Sequence, residues 1–170
     1  MGSKQTDSPL LTELLAVHEW LRRDLRQCRE IARDVRAGAA ATLVKARIQQ
    51  LRTTGPLWQL RANCLQYCAL VQNHHRLEDV MLFPAMRRYA PSLAKVIDRL
   101  ERDHEEVADL LKEVATAADG LTDSAGDGPH ERLATGLDRL AEHLLEHLEL
   151  EERTLAPVFI QHKLRPDHLS

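Results

Sequence analysis

Apolar residues recur three and four positions apart through four long stretches of the chain, with charged residues between them. That period is the mark of helices with one buried face. The first stretch, LLTELLAVHEWLRRDLRQCREIARDV, runs from Ser8-Pro9 to Gly38, and the second from Gly55-Pro56 to about Tyr89. The third runs from Pro91 to about Ala118, and the fourth starts at Gly128-Pro129. Each opens on a proline, which suits a first helical turn because its missing N–H would have no partner there. Gly38 and Gly120 stand where helix ends are expected. Between the first two stretches, TLVKARIQQLRTT has enough pattern for a short extra helix, and GLTDSAGDG before Pro129 reads as a surface loop. Alternating β-branched runs are absent. The pattern therefore predicts an all-α fold, an up-down-up-down four-helix bundle over residues 9–164, with a disordered N-terminus at 1–8 and a tail at 165–170.

Composition narrows the class. Charged residues make up 29% of the 170 positions and aromatics 4%, with seven glycines and a formal net charge of −3. Basic residues are interspersed with acids along the helices, so no nucleic-acid footprint is expected. MGSKQTDSP lacks the apolar core of a signal peptide, and no apolar run approaches membrane-spanning length. The expected compartment is the cytoplasm, with Cys28, Cys64 and Cys68 as reduced thiols. Cys64 and Cys68, one turn apart, read as small buried residues in preference to a redox pair.

An internal repeat carries the chemistry. His74-His75-Arg76-Leu77-Glu78-Asp79-Val80-Met81-Leu82-Phe83-Pro84 and His147-Leu148-Glu149-Leu150-Glu151-Glu152-Arg153-Thr154-Leu155-Ala156-Pro157 share the form H-x-x-x-E-[DE]-x-x-L-x-P at an offset of 73. The helix before each copy holds a single histidine, His18 or His104, with a leucine four residues before it and another seven after. The chain reads as a duplicated helical hairpin. A His-x3-Glu pair places both side chains on one helix face, about 6 Å apart along the axis. Imidazole with carboxylate suits iron, manganese or zinc, and a glutamate can bridge two ions with one oxygen on each. A single such pair is usually an exposed surface pair, so the question is whether the pairs meet. With a rise of about 1.5 Å per residue and antiparallel neighbours, His18, His74, His104 and His147 fall at heights of about 13, 15, 12 and 13 Å. Glu78 and Glu151 lie one turn below.

These residues resemble the hemerythrin-like (HHE cation-binding) family over about residues 10–160: a lone histidine, His-x3-Glu, a lone histidine, His-x3-Glu. The resemblance implies a non-haem di-iron centre. His18 and His74 would ligate one iron and His104 and His147 the other, with Glu78, Glu151 and an oxo or hydroxo group as bridges; zinc or manganese are less favoured occupants. The implied ligands are O2, peroxide or nitric oxide. The alternative is an iron- or oxygen-sensing module acting through a protein partner, and a third reading is a structural bundle with adventitious zinc. Two departures stand out. Oxygen-carrying hemerythrins have a second histidine one turn after the first on the third helix, where this chain has Ala108, and use His-x4-Asp on the fourth, where this chain has Glu151. A fifth terminal histidine is therefore expected to be missing, which argues against simple reversible O2 transport.

Several neighbours remain open at this level. Tyr67, two turns before His74, is either a buried tyrosine with its hydroxyl satisfied or a cavity residue with a redox or gating role. His75, Asp79 and Glu152 are expected to point away from the ligand positions, as partners of the ligands or as exposed charges. His143, one turn before His147, is a fifth ligand, a proton donor to bound peroxide, or a surface histidine paired with Glu142, Glu146 or solvent.

Overall fold

The computed structural model describes residues 8–54, 71, 74–122 and 127–163, and these form helices joined by short turns. Helix α1 spans Pro9–Arg36 and α2 spans Ala41–Thr54. Residues 74–77 are helical and lead into a π-turn at Glu78–Leu82, followed by α3 at Phe83–Tyr89. A 3-10 turn at Pro91–Leu93 precedes α4 at Ala94–Asp119, and α5 spans Asp127–His162. The extra helix that the sequence allows for is α2. The expectations for Gly55-Pro56, Cys64, Tyr67, Cys68, the tip of the GLTDSAGDG loop and both chain ends lie outside the described residues.

Local sequence accounts for the helix ends. Ser8 caps α1, its Oγ accepting from the Leu11 N–H at 3.4 Å, with Pro9 at the first helical position. Past the other end, Gly38 takes φ +83°, a left-handed conformation that side-chain-bearing residues avoid. Gly120 also follows a helix, but with an ordinary φ of −76°.

The long helices pack antiparallel around α5, which contacts both α1 and α4 along much of its length. Three apolar layers follow one another along the bundle. Leu11, Leu14, Phe83, Leu100, Leu155 and Phe159 are among those at one end. Leu21, Leu25, Val107, Leu140, Leu144 and Leu148 belong to the middle layer. The far layer joins α2 to the others through Val44 and Ile48 against Ile31, Val35 and Leu133. Cys28 is buried in that layer, and burial pushes its thiol up to about 12, which leaves it a poor nucleophile.

The histidines occupy the gap between the first two layers. His18 lies between Leu14 and Leu21, His104 between Leu100 and Val107, and His147 and Glu151 between Leu144 and Leu155. Apolar layers thus lie above and below one polar level. No helix among the described residues is long and apolar enough to cross a membrane.

Candidate metal centre

Four helical segments deliver buried imidazoles and carboxylates to that level. The structure gathers them into two groups whose ligand-capable atoms lie within 4.8 Å of one another: His18, His74, Glu78 and Glu151, and His75, Glu78, His104 and His147. Glu78 belongs to both. One of its oxygens, Oε1, is 3.0 Å from His74 Nε2 and 4.0 Å from His18 Nε2, while the other, Oε2, is 3.4 Å from His104 Nε2. Glu151, with no solvent exposure, also faces both groups through Oε2, at 3.4 Å from His18 Nε2 and 3.7 Å from His147 Nε2.

Buried polar atoms are normally satisfied, because each unpaired one costs about 1–3 kcal/mol. Here the Nε2 atoms of His18, His74 and His75 and both oxygens of Glu78 and of Glu151 are buried without a hydrogen-bond partner. Such a concentration of unmatched lone pairs, all of them nitrogen or carboxylate oxygen, fits divalent or trivalent transition-metal ions.

A second set of carboxylates sets the ring orientations. His18 Nδ1–H donates to Glu152 Oε1 at 2.8 Å, and Arg22 Nη1 holds the same oxygen at 2.9 Å. His104 Nδ1–H donates to Asp79 Oδ1 at 2.8 Å, and Asp103 Oδ2 lies 3.7 Å from His147 Nδ1. A histidine held through Nδ1 presents Nε2 to a metal. The acids that do this follow a crossing rule: Asp79, next to Glu78 in the first half, serves His104 of the second, and Glu152, next to Glu151 in the second half, serves His18 of the first. The expectation that Asp79 and Glu152 point away from the ligand positions thus resolves in favour of partners of the ligands.

His75 is a correction. It was expected to point elsewhere, since consecutive residues on a helix diverge by about 100°. The centre has two positions side by side, so His74 turns to one and His75 to the other. His75 is buried and stacks on His104, with ring centroids 3.8 Å apart and planes 4° from parallel. The fifth imidazole expected to be missing is therefore present, supplied from the second hairpin arm and not from the third long helix. The π-turn begins three residues later, and α3 resumes with Pro84 in its first turn, where a proline removes one N–H from the ladder. Pro157, its counterpart, sits inside the unbroken α5, and Leu148 stands where His75 would repeat, so the two halves differ here.

His143 joins neither group. Its Nε2 lies 3.4 Å from Glu106 Oε2 on α4, in a surface groove with Asp109, Arg139 and Glu146. The ring is half-buried there, with Nε2 covered and making no hydrogen bond.

Without metal, the level is electrostatically uneven. Burial alone would lower His18, but the carboxyl groups of Glu151, Glu152 and Glu78 around its ring carry it up to about 11. Burial lowers His74 to about 4 and, with the charge of His147, His104 to about 3; His75 is lowered as well, by burial and its histidine neighbours. Burial, then the facing Glu151, raises Glu78, whereas Glu151 is lowered despite burial because the His18 ring faces it at 3.4 Å. Stability should follow these directions. Between about 6.5 and 4 the unfolded chain binds protons that His74 and His104 refuse, so acid destabilises the metal-free fold. The raised Asp79, at about 6 through burial, offsets part of this. His18 acts oppositely: its contribution is complete below 6.5 and is lost as pH rises through about 11. Thermal melts of chelator-treated protein should therefore peak near neutrality; a melting point that climbs steadily down to pH 4 would contradict this.

Residues 9–159 match the profile of the hemerythrin HHE cation-binding domain. The chain belongs to the hemerythrin HHE family. No curated protein and no solved structure matches it. Family membership and geometry agree on a cation-binding bundle with two buried His/Glu groups that share Glu78.

Proposed function

We propose that this hemerythrin-like protein holds two iron ions at the Glu78/Glu151 level and uses them to bind or react with O2, peroxide or nitric oxide. The observation that carries the reading is the division of Glu78, one oxygen toward His18 and His74 and the other toward His104. A carboxylate so placed can hold two cations at a fixed separation while neutralising part of their charge. Iron bound there would supply redox electrons and exchangeable coordination positions.

The chain's own residues supply the rest. Five imidazoles and two carboxylates give a mixed nitrogen and oxygen set that accepts both ferrous and ferric iron. Glu152 and Asp79 bond the Nδ1 of His18 and of His104, which turns the Nε2 of each ring toward the centre. The apolar layers on either side keep most of the ligand atoms buried, which strengthens electrostatic interactions inside. His74, about 10% exposed at its side chain, is the least covered of the five histidines.

The visible spectrum of iron-loaded protein tests this. Charge-transfer absorption that shifts on adding azide, peroxide or NO is the expected result. A loaded protein whose spectrum ignores all three ligands contradicts the proposal.

A further inference from the structure

Each lone histidine bonds an acid of the opposite half, but the two acids are held differently. Glu152 Oε1 accepts from His18 Nδ1–H at 2.8 Å and from Arg22 Nη1 at 2.9 Å, so one oxygen serves an imidazole and a guanidinium together. Arg22 lies four residues after His18, one turn along the same face of α1. In the second half the place four residues after His104 is Ala108, which carries no charge. Asp79 Oδ1 accepts from His104 Nδ1–H at 2.8 Å, and among the described residues His104 is its only ion-pair partner. The guanidinium of Arg87, whose field reaches Asp79, is bonded instead to Glu101 and Asp98. The outer acid of the first position is therefore charge-compensated, and that of the second is not.

We infer that Arg22 is a positioning residue that acts through Glu152, weakening His18 as a donor and raising the reduction potential of the metal pair. The inference rests on the iron pair proposed above and deepens that reading. A carboxylate bonded to the Nδ1–H of a metal-bound imidazole makes the ring more basic, and so a stronger donor through Nε2. A guanidinium on the same oxygen takes up part of the carboxylate's charge and weakens that push. His104, with Asp79 uncompensated, receives it in full. The side chains of Arg22 and Glu152 are each 22% exposed, so solvent and salt screen this pair less than a surface one. The bundle does not need an arginine at this place for packing, since the second half seats its lone histidine with Ala108 there.

The test uses the full chain, loaded first with zinc, which carries no redox chemistry, and isotope-labelled at histidine. Arg22→Leu should move the Nδ1–H proton of His18 downfield, the mark of a stronger hydrogen bond, and leave that of His104 in place. Arg22→Gln keeps a hydrogen-bond donor without the charge and should do the same, so the result does not hang on whether the leucine variant folds. Arg22→Lys should stay close to wild type. In iron-loaded protein the Leu and Gln variants should lower the midpoint potential by about tenfold in the oxidation equilibrium, about 59 mV for a one-electron couple. With Glu152→Gln already present, the further change to Arg22→Leu should shift the potential far less, because the acid through which Arg22 acts is gone. A salt bridge that only ties α1 to α5 would lower the melting temperature and move neither the proton nor the potential. Two zinc ions bound, with either the proton or the potential at its wild-type value in both variants, overturns the inference and leaves the metal pair standing. A wild-type chain that takes up no zinc pair overturns the metal reading itself.

Discussion

Glu78→Ala and Glu151→Ala proteins are expected to lose the metal pair, and elemental analysis should find at most one iron per chain in either. Glu78 belongs to both histidine groups, and Glu151, a member of the first, lies 3.7 Å from His147 of the second, so removing either leaves two cations facing each other with half the compensating charge. Misfolding would be the trivial explanation, and a third variant separates it. Burial and the facing Glu151 push the Glu78 carboxyl up, and both its oxygens are buried without a hydrogen-bond partner, so without metal it works against the fold. Glu78→Leu keeps comparable bulk and removes that cost, and the metal-free variant should be more stable than metal-free wild type by about 1–3 kcal/mol. A variant that gains metal-free stability while losing metal has lost a ligand and kept its fold. Two irons retained in either alanine variant would refute the bridging role.

His75→Leu should weaken the second position alone. The substitution copies the residue at Leu148 and makes the two halves alike, leaving His104, His147 and Glu78 in that group. Loss of an outer-shell partner typically costs about 10–100-fold in metal affinity, and a direct ligand should cost at least that. Calorimetric titration of metal-free protein with cobalt or zinc should show one ion bound as in wild type and the other much more weakly. Two unchanged affinities would mean that His75 serves only as a flat surface against His104.

Much of this centre can be read along the chain because its ligands obey helix periodicity. His-x3-Glu recurs, the lone histidines precede each copy, and helix arithmetic brings all four to one height. The acids that orient the rings also left a sequence signal, an acidic residue immediately after each glutamate. Its meaning was hidden because Asp79 and Glu152 act across the bundle, on the lone histidine of the opposite half. His75 was illegible for a related reason. One helix position normally faces one point, and only two adjacent positions in space let neighbouring residues both act. The π-turn left no signal that separates the halves, since Pro84 and Pro157 occupy matching places and only the first has one. His143 misleads in the opposite direction. His143 lies one turn before His147, about 6 Å along the axis and on the side away from Glu151. That displacement takes it past the ligand level into the α4–α5 groove beside Glu106.

The most direct measurement is anomalous diffraction at the iron edge from crystals of the iron-loaded protein. Two peaks are predicted, one among His18, His74, Glu78 and Glu151 and one among His75, Glu78, His104 and His147, with Glu78 between them. A single peak, or peaks beside His143 or elsewhere on the surface, would contradict the shared-carboxylate centre.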